Sequence, residues 1–236
     1  MSDSQASTLY RDYWKDEAAI RDKRAYYERL YARIRAKIQI DPAWRVLDIA
    51  GGNGQFLRYL GIQNADVLDI SQSGLDAARS FGFHSICGDI EKRFPVPEES
   101  YEAALCFEVL EHLHYPAKTL SEIHNVLKPG GVLYLGQPNM RADGVHHVRR
   151  YHLEPLLDDL KKSGFSIEWV DYVPAYSMRD SIVSDIRKNP SLIRKAVQCV
   201  NLCLSFLPRG VRDAMARAVP DRFALIFVVK ALKNSR

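Results

Sequence analysis

The chain has 236 residues, of which 47% are hydrophobic and 26% are charged. These proportions exclude a disordered or collagen-like chain and allow a large buried core. The net charge of +4 is too small to indicate nucleic-acid binding by itself, and we expect no nucleic-acid partner. The N-terminus is polar and no apolar run is long enough to span a bilayer, so we expect a soluble, cytoplasmic protein.

Residues 1–40 are predicted to form an N-terminal helical cap. Apolar side chains recur there at helical intervals among many charges. Asp41-Pro42 ends this pattern, because the residue before a proline disfavours helical backbone angles. Residues 41–236 are assigned to one further domain.

From residue 45 onward, short apolar runs alternate with amphipathic stretches. The predicted strands are Arg45–Ala50, Asp66–Ile70, Ala103–Phe107, Val132–Gly136 and Ile167–Val173, and the predicted helices are Gln55–Leu60, Gln72–Phe81, Pro116–Leu127 and Leu153–Ser163. This alternation is typical of an α/β fold with a doubly wound, mostly parallel sheet. Lys128-Pro129-Gly130-Gly131 is predicted to end the third helix before the next strand.

Residues 174–218 break the alternation and are predicted to form a helical insertion before a last strand, Phe223–Val229. The insertion holds eight Lys and Arg residues but only three Asp residues. One hypothesis is a cover helix packed on the core, in which Cys199 and Cys203 are buried. The other is peripheral contact of residues 191–217 with an anionic membrane surface or an acidic lipid-linked substrate.

The most informative segment is an apolar strand that runs into the turn Ala50–Gly54. Glycines in such a turn let a ligand approach the backbone closely. Leu57 stands where the dinucleotide fingerprint needs a third glycine, and the carboxylate of Asp48 would repel a pyrophosphate. Asp48 instead favours a cationic ligand, and Asp69, 21 positions later, is placed to bind a ribose. S-adenosylmethionine carries an ammonium, a sulfonium and a ribose.

The segment Val46–Gly54 resembles the V-L-D-[IL]-G-x-G-x-G loop of class I S-adenosylmethionine-dependent methyltransferases, with Ala50 in place of the first glycine. Three later segments, Cys87–Ile90, Phe107–His112 and Leu127–Leu133, are similar to further parts of that family in the same order. The resemblance extends over residues 45–173. It implies a Rossmann-like domain within residues 41–236 that uses S-adenosylmethionine as methyl donor.

The resemblance also implies a set of cofactor contacts. Asp69 would hold the ribose, Asp89 the adenine, and the Ala50–Gly54 loop the methionine portion. The complete set predicted to bind the cofactor is Asp48, Ala50, Gly51, Gly52, Gly54, Asp69, Ile70, Asp89, Ile90, Phe107 and Glu108. The alternatives are that Asp48 caps the loop, that Asp69 faces solvent at a strand end, and that Asp89 begins a helical turn.

The basic insertion favours O-methylation of a small-molecule, glycan-linked or lipid-linked acceptor. A hydroxyl acceptor has to lose its proton, and His146, His147 and His112 are the candidate catalytic bases. The alternative for His146 and His147 is that they lie on an exposed loop. No metal site is expected, because the histidines show no compact ligand spacing.

Two other classes of function remain at this point. One is a nicotinamide-dependent oxidoreductase, against which Leu57 and Asp48 argue. The other is a binding module without catalysis, because a fold does not fix a function.

Overall fold

The computed structural model describes residues 28, 30–139, 147–149, 151–174, 199, 202–204, 206–218 and 224–234. Residues 30–35 are helical. The strands are β1 (Val46–Ile49), β2 (Ala65–Asp69), β3 (His84–Cys87), β4 (Tyr101–Phe107), β5 (Leu127–Pro138), β6 (Phe165–Pro174) and β7 (Ala224–Lys233). The helices are α1 (Gln55–Leu60), α2 (Gln72–Ser80), α3 (Pro116–Val126), α4 (Leu153–Lys162) and α5 (Arg209–Ala218), and a 3-10 turn spans Leu110–His112.

The seven strands form one sheet in the order β3-β2-β1-β4-β5-β7-β6. The first five strands in this order run parallel, and β7 is antiparallel to both β5 and β6. The chain reverses direction along the sheet beside β1, so the carboxyl ends of β1 and β4 flank a crevice of the kind in which α/β proteins bind ligands. The predicted doubly wound, mostly parallel fold is confirmed.

Alternate residues of the central strands pack into two separate cores. On one face, Leu47 and Cys106 pack with apolar side chains of α3 and α4. On the other face, Val46 and Leu105 pack with side chains of α1, α2 and the helical residues 30–35. Because a strand points successive side chains to opposite faces, a sheet covered on both sides needs apolar residues at nearly every position. This explains why β1, β2 and β4 read as continuous apolar runs.

The structure differs from the sequence prediction at β5 and at β3. Helix α3 ends at Val126 and β5 begins at the next residue, so Lys128–Gly131 belong to the strand and do not form a separate turn. Strand β3 was not predicted, because none of its four residues is buried and it carries no apolar run.

The N-terminal helical residues pack directly on the core. Leu30 and Ile34 are completely buried on the face that carries α1 and α2. An ion pair between Arg33 and Asp213, with a nitrogen–oxygen distance of 3.4 Å, joins this segment to α5. The division of the chain at residue 40 stays a prediction.

The insertion is described only in part. Helix α5 is its longest described helix, and Ala216 is the buried residue of that helix. Cys199 and Cys203 are exposed, so the prediction that they are buried is wrong. Within the described ranges, no helix combines the length and the apolar character needed to cross a bilayer.

Candidate cofactor and acceptor site

The turn after β1 has a left-handed backbone at three positions. Ala50, Gly52 and Gly54 have φ angles of 53°, 55° and 69°. Glycine adopts these angles without a steric cost, whereas Ala50 adopts them at some expense. The N–H of Ala50 donates to the carbonyl of Leu68 in β2, with a nitrogen–oxygen distance of 2.7 Å. This bond fixes the turn at the carboxyl end of the sheet, and Gly54 then begins α1.

Asp48 is a buried carboxyl group beside this turn. Its Oδ2 atom has no hydrogen-bond partner in the part of the chain that the structure describes. A Cβ at Gly51 would lie 2.5 Å from this carboxyl group, so only glycine leaves the space open. Burial, with a smaller contribution from Asp69, raises the pKa of Asp48 to about 8. A buried carboxyl with an unpaired oxygen is suited to a cationic partner.

Asp69, not Asp48, binds the backbone of the loop. Its Oδ2 accepts from the N–H of Gly52 at 2.8 Å, and its Oδ1 accepts from the N–H of Ser71 at 2.7 Å. Burial raises the pKa of Asp69, while backbone N–H groups oppose this by stabilising the carboxylate. Since only 7% of the residue is exposed, the alternative of a solvent-facing strand end is wrong. Ile70 is half-buried beside it.

The residue before Asp89 contacts Asp69 through the backbone. The N–H of Gly88 donates to the carbonyl of Asp69 at 3.0 Å. The Oδ1 of Asp89 accepts from the N–H of Glu91, so its side chain begins a local turn. Ile90 packs against the core on the α3 side of the sheet. Adenine contact by Asp89 and Ile90 therefore stays a prediction.

The aromatic rings of Tyr31, Phe56 and Phe107 pack against one another near the loop and the end of β4. The ring centroids of Phe107 and Phe56 are 4.6 Å apart, and those of Phe56 and Tyr31 are 4.4 Å apart. Burial raises the pKa of Tyr31, and the nearby charges of Glu108 and Asp48 add to this shift. The sequence analysis did not single out Tyr31, because its ring reaches the site only through packing of a separate segment.

Glu108 follows β4 in a strained conformation. Its φ angle is 55°, and its N–H donates to the carbonyl of Gly136 at 2.8 Å. Non-glycine residues with such angles concentrate at functional sites. The neighbouring β5 residue Gly136 leaves room for Phe107, since a Cβ there would lie 2.1 Å from the ring.

Beyond Glu108, the structure brings two predicted bases together. The rings of His112 and His147 are 4.8 Å apart, and both side chains are only partly exposed. His146 lies outside the described residues. Glu111 is buried in the same 3-10 turn as His112, and burial together with the charge of Glu108 raises its pKa to about 8.

Comparison with known proteins gives matches over the same part of the chain. A family model described as a methyltransferase domain matches residues 47–135. A protein of Mycolicibacterium smegmatis named as a probable S-adenosylmethionine-dependent methyltransferase is 30% identical over 112 residues, which is 44% of this chain and 43% of that protein. A ubiquinone biosynthesis O-methyltransferase of Hahella chejuensis is 30% identical over 106 residues, or 42% of this chain and 44% of that protein. The match thus spans less than half the length of these two relatives.

Solved structures extend the likeness of the fold. The crystal structure of an S-adenosylmethionine-dependent methyltransferase from Archaeoglobus fulgidus superimposes with a TM-score of 0.62 at 18% identity and covers 92% of this chain and 100% of that chain. At this identity the likeness supports the fold alone. The sequence match, by contrast, includes the glycine loop and the end of β4, where the carboxyl groups described above lie. Residues 47–135 therefore match a methyltransferase domain, and this part of the chain is similar in sequence to S-adenosylmethionine-dependent methyltransferases.

Proposed function

We propose that the protein transfers the methyl group of S-adenosylmethionine to a hydroxyl group of a small-molecule, glycan-linked or lipid-linked acceptor. The relatives named as ubiquinone biosynthesis O-methyltransferases support oxygen as the acceptor atom. They match over less than half of their length, so the acceptor itself is part of the proposal.

The single observation that carries this proposal is the unpaired oxygen of Asp48 beside a loop without bulky side chains. The methionine portion of the cofactor carries an ammonium group, which pairs well with a buried carboxylate. Gly51 has no Cβ, so the space next to this carboxyl group stays open. A cation bound there would lower the pKa of Asp48 from about 8 and hold the group ionised. The residues present therefore fit the cofactor.

When bound, S-adenosylmethionine supplies a sulfonium-activated methyl group that an acceptor oxygen can displace in line. The contribution of the protein is then mainly alignment and exclusion of water. Asp48 and Asp69 would hold the polar ends of the donor. The faces of Tyr31 and Phe107 would border the positive centre, which aromatic rings attract.

On the acceptor side, the imidazole of His112 or His147 would accept the proton of the hydroxyl group. The protonated form of imidazole ordinarily has a pKa close to neutral pH, so the neutral ring is suited to act as a general base. His112 belongs to the 3-10 turn that follows β4, and β4 pairs in parallel with β1. The proton acceptor would then lie after β4, next to the strand whose end would bind the methyl donor.

The decisive experiment is calorimetric titration of S-adenosylhomocysteine into the protein and into Asp69→Ala. The substitution removes the Asp69 carboxylate, which accepts hydrogen bonds from Gly52 and Ser71 and would bind the ribose. Binding should therefore weaken by at least about 30-fold. Asp76→Ala is the matched control, because Asp76 is an exposed carboxylate on α2 that accepts hydrogen bonds from Gln72 and Arg79. Unchanged affinity in Asp69→Ala, or tighter binding of NADH than of S-adenosylhomocysteine, would refute the proposal. Tight binding without methyl transfer to any hydroxyl acceptor would favour a binding module.

We further propose that residues 191–217 contact an anionic membrane surface and present a lipid-linked acceptor. Two exposed apolar side chains, Phe206 and Val211, lie close to Arg209 in this segment. Apolar and basic groups together are what binds a protein to such a surface. Co-sedimentation with phosphatidylserine vesicles at low salt should be reduced in a Phe206→Ser, Val211→Ser variant. Equal recovery of the protein with neutral and anionic vesicles would contradict this part of the proposal.

A further inference from the structure

Glu111, His112 and His147 form a compact group of metal-ligating side chains at the acceptor side of the crevice. A carboxylate oxygen of Glu111 and one ring nitrogen from each histidine lie within 4.8 Å of one another. One of these approaches, between Oε1 of Glu111 and Nε2 of His112, is 3.6 Å. Glu111 is only 1% exposed, so its oxygens face the protein interior and the two imidazoles.

Backbone hydrogen bonds hold this group together across a long stretch of sequence. The N–H groups of Val148 and Arg149 both donate to the carbonyl of Glu111, at 3.0 and 3.2 Å. The guanidinium of Arg149 also donates to the carbonyl of His114 at 3.0 Å. His147 is therefore attached to the 3-10 turn that carries Glu111 and His112.

A second, independent observation comes from β5. Gln137 is completely buried, and its Nε2 donates to Oε2 of Glu111 at 3.1 Å. The Oε1 of the same amide has no hydrogen-bond partner among the residues that the structure describes. Leaving a buried amide oxygen unpaired destabilises the folded protein. Because the same amide contacts Glu111, an acceptor oxygen that lacks a partner among the described residues lies on a neighbour of this carboxylate. A ligand that accepts electron pairs would supply the missing partner.

We propose that Glu111, His112 and His147 bind a divalent transition-metal ion. Two imidazoles and one carboxylate are the donor set that proteins use for zinc and related metals when positions on the metal have to stay open for a substrate. Metal–ligand bonds of about 2.0–2.2 Å would require the ligand atoms to draw closer by roughly 1 Å. Rotation of the His147 side chain can supply much of this movement, because His147 lies outside any helix or strand.

This site deepens the proposed function and rests on it for its chemical role. A hydroxyl group bound to such a metal loses its proton far more readily than a free one, as does water, whose pKa falls from about 15.7 to about 7 on zinc. His112 and His147 then act as ligands and no longer as proton acceptors. Gln137 would orient the carboxylate of Glu111, as groups behind a metal ligand commonly do.

The sequence analysis predicted no metal site because it looked for histidines at a short spacing. The three ligands come instead from the end of β4 and from the segment after β5, 35 residues apart in sequence. The adjacent Glu111-His112 pair is visible in the sequence. Two neighbouring residues do not indicate a metal site, however, unless a third ligand such as His147 is known to lie beside them.

The test is calorimetric titration of Zn²⁺ into untagged, chelator-treated protein. We expect one ion per chain, with affinity more than about 100-fold lower in His147→Ala and in Glu111→Gln, beyond the roughly 10–100-fold that loss of a supporting group costs. His84→Ala is the matched control, since His84 is an exposed histidine at the opposite end of the sheet that also faces a carboxylate, Asp66. Circular dichroism checks the fold of each variant, and His147→Ala leaves the buried carboxylate in place.

Titration of S-adenosylhomocysteine into the same variants separates this inference from the proposed function. Binding should change by less than about threefold, because the cofactor pocket is formed by other residues. The metal site is refuted if Zn²⁺ binds as tightly to His147→Ala and Glu111→Gln as to the unaltered protein, or if no ion binds. Failure of the unaltered protein to bind S-adenosylhomocysteine would instead refute the proposed function and leave the zinc result standing.

Discussion

The two sides of the crevice are built in different ways. On the proposed cofactor side, Asp48 and the glycines of the loop lie within seven consecutive residues, and Asp69 follows 21 positions after Asp48. On the acceptor side, Glu111 and His112, Gln137, and His147 belong to three segments that meet only in the folded protein. A contiguous motif is visible in a single sequence, whereas a group assembled by tertiary contacts is not.

The two sides also use a buried carboxyl group differently. Burial raises the pKa of Asp48 and that of Glu111 alike, each to about 8. Oδ2 of Asp48 faces no donor in the described structure, whereas Oε2 of Glu111 accepts a hydrogen bond from Gln137. Asp48 is therefore suited to a cationic group of a ligand, whereas Glu111 is already oriented by Gln137.

Asp48→Asn should separate the two sides most clearly, because it should change the affinity for S-adenosylhomocysteine and not that for Zn²⁺. The amide keeps the shape of the side chain but cannot pair with an ammonium group, so S-adenosylhomocysteine should bind at least about 10-fold more weakly. Zn²⁺ binding should stay within about twofold of the unaltered protein, because the two sites share no ligand. Calorimetry with both ligands measures the two effects. A parallel loss of zinc affinity would show that the two sides are not independent.

The same substitution should change how stability depends on pH. The pKa of Asp48 in the folded protein is about 8, above its ordinary value of 3.8, so the folded state holds a proton that the unfolded state has lost between these two values. The free energy of unfolding contributed by this group therefore falls as the pH rises from about 4 to about 8. Asp48→Asn removes that decline, and its melting temperature should exceed that of the unaltered protein by at least about 2 °C at the upper end of this range.

The control for this measurement is Asp76→Asn, which removes an exposed carboxylate on α2. Saturation with S-adenosylhomocysteine should also reduce the difference, because a bound ammonium group keeps Asp48 ionised in the folded state. Identical pH profiles of Asp48→Asn and the unaltered protein without ligand would contradict the assignment of a raised pKa to Asp48.

Most of the fold could be predicted from local patterns. Buried strands such as β1 and β4 are apolar at nearly every position because helices cover both faces of the sheet. Strand β3 was not predicted, because it lies at the edge of the sheet and none of its residues is buried. The direction of β7 depends on its pairing with both β5 and β6, which no local pattern reveals.

The candidate site could be predicted only in part. Asp48, Asp69 and the glycine loop follow from a motif, because each role requires a residue type at a fixed distance from the end of a strand. Tyr31 and Gln137 could not be predicted, since their position depends on how a distant helix and strand pack against the loop. The distinction between Asp48 and Asp69 also needed the structure, because the sequence does not show which carboxylate binds the backbone of the loop.

The smallest expected effect is that of Ala50→Gly, which sharpens the account of the loop. Ala50 holds a φ angle of 53°, and its exposed methyl group makes no core contact that would be lost. Relief of the left-handed strain, about 1–2 kcal/mol, is partly offset by the greater freedom of glycine in the unfolded chain. The melting temperature should rise by about 1–3 °C, and affinity for S-adenosylhomocysteine should change by less than about twofold. Thermal unfolding with and without the ligand measures both.

Gly61→Ala is the matched reverse substitution. Gly61 has a φ angle of 78°, and a Cβ there would meet no atom within 4 Å, so the change adds backbone strain without a steric contact. It should lower the melting temperature by an amount similar to the gain in Ala50→Gly, since both report the same conformational preference. A decrease in both variants would contradict the strain at Ala50 and would mean that its methyl group stabilises the loop. The departure of this chain from the usual first glycine of the motif would then reflect a favourable contact and not a tolerated cost.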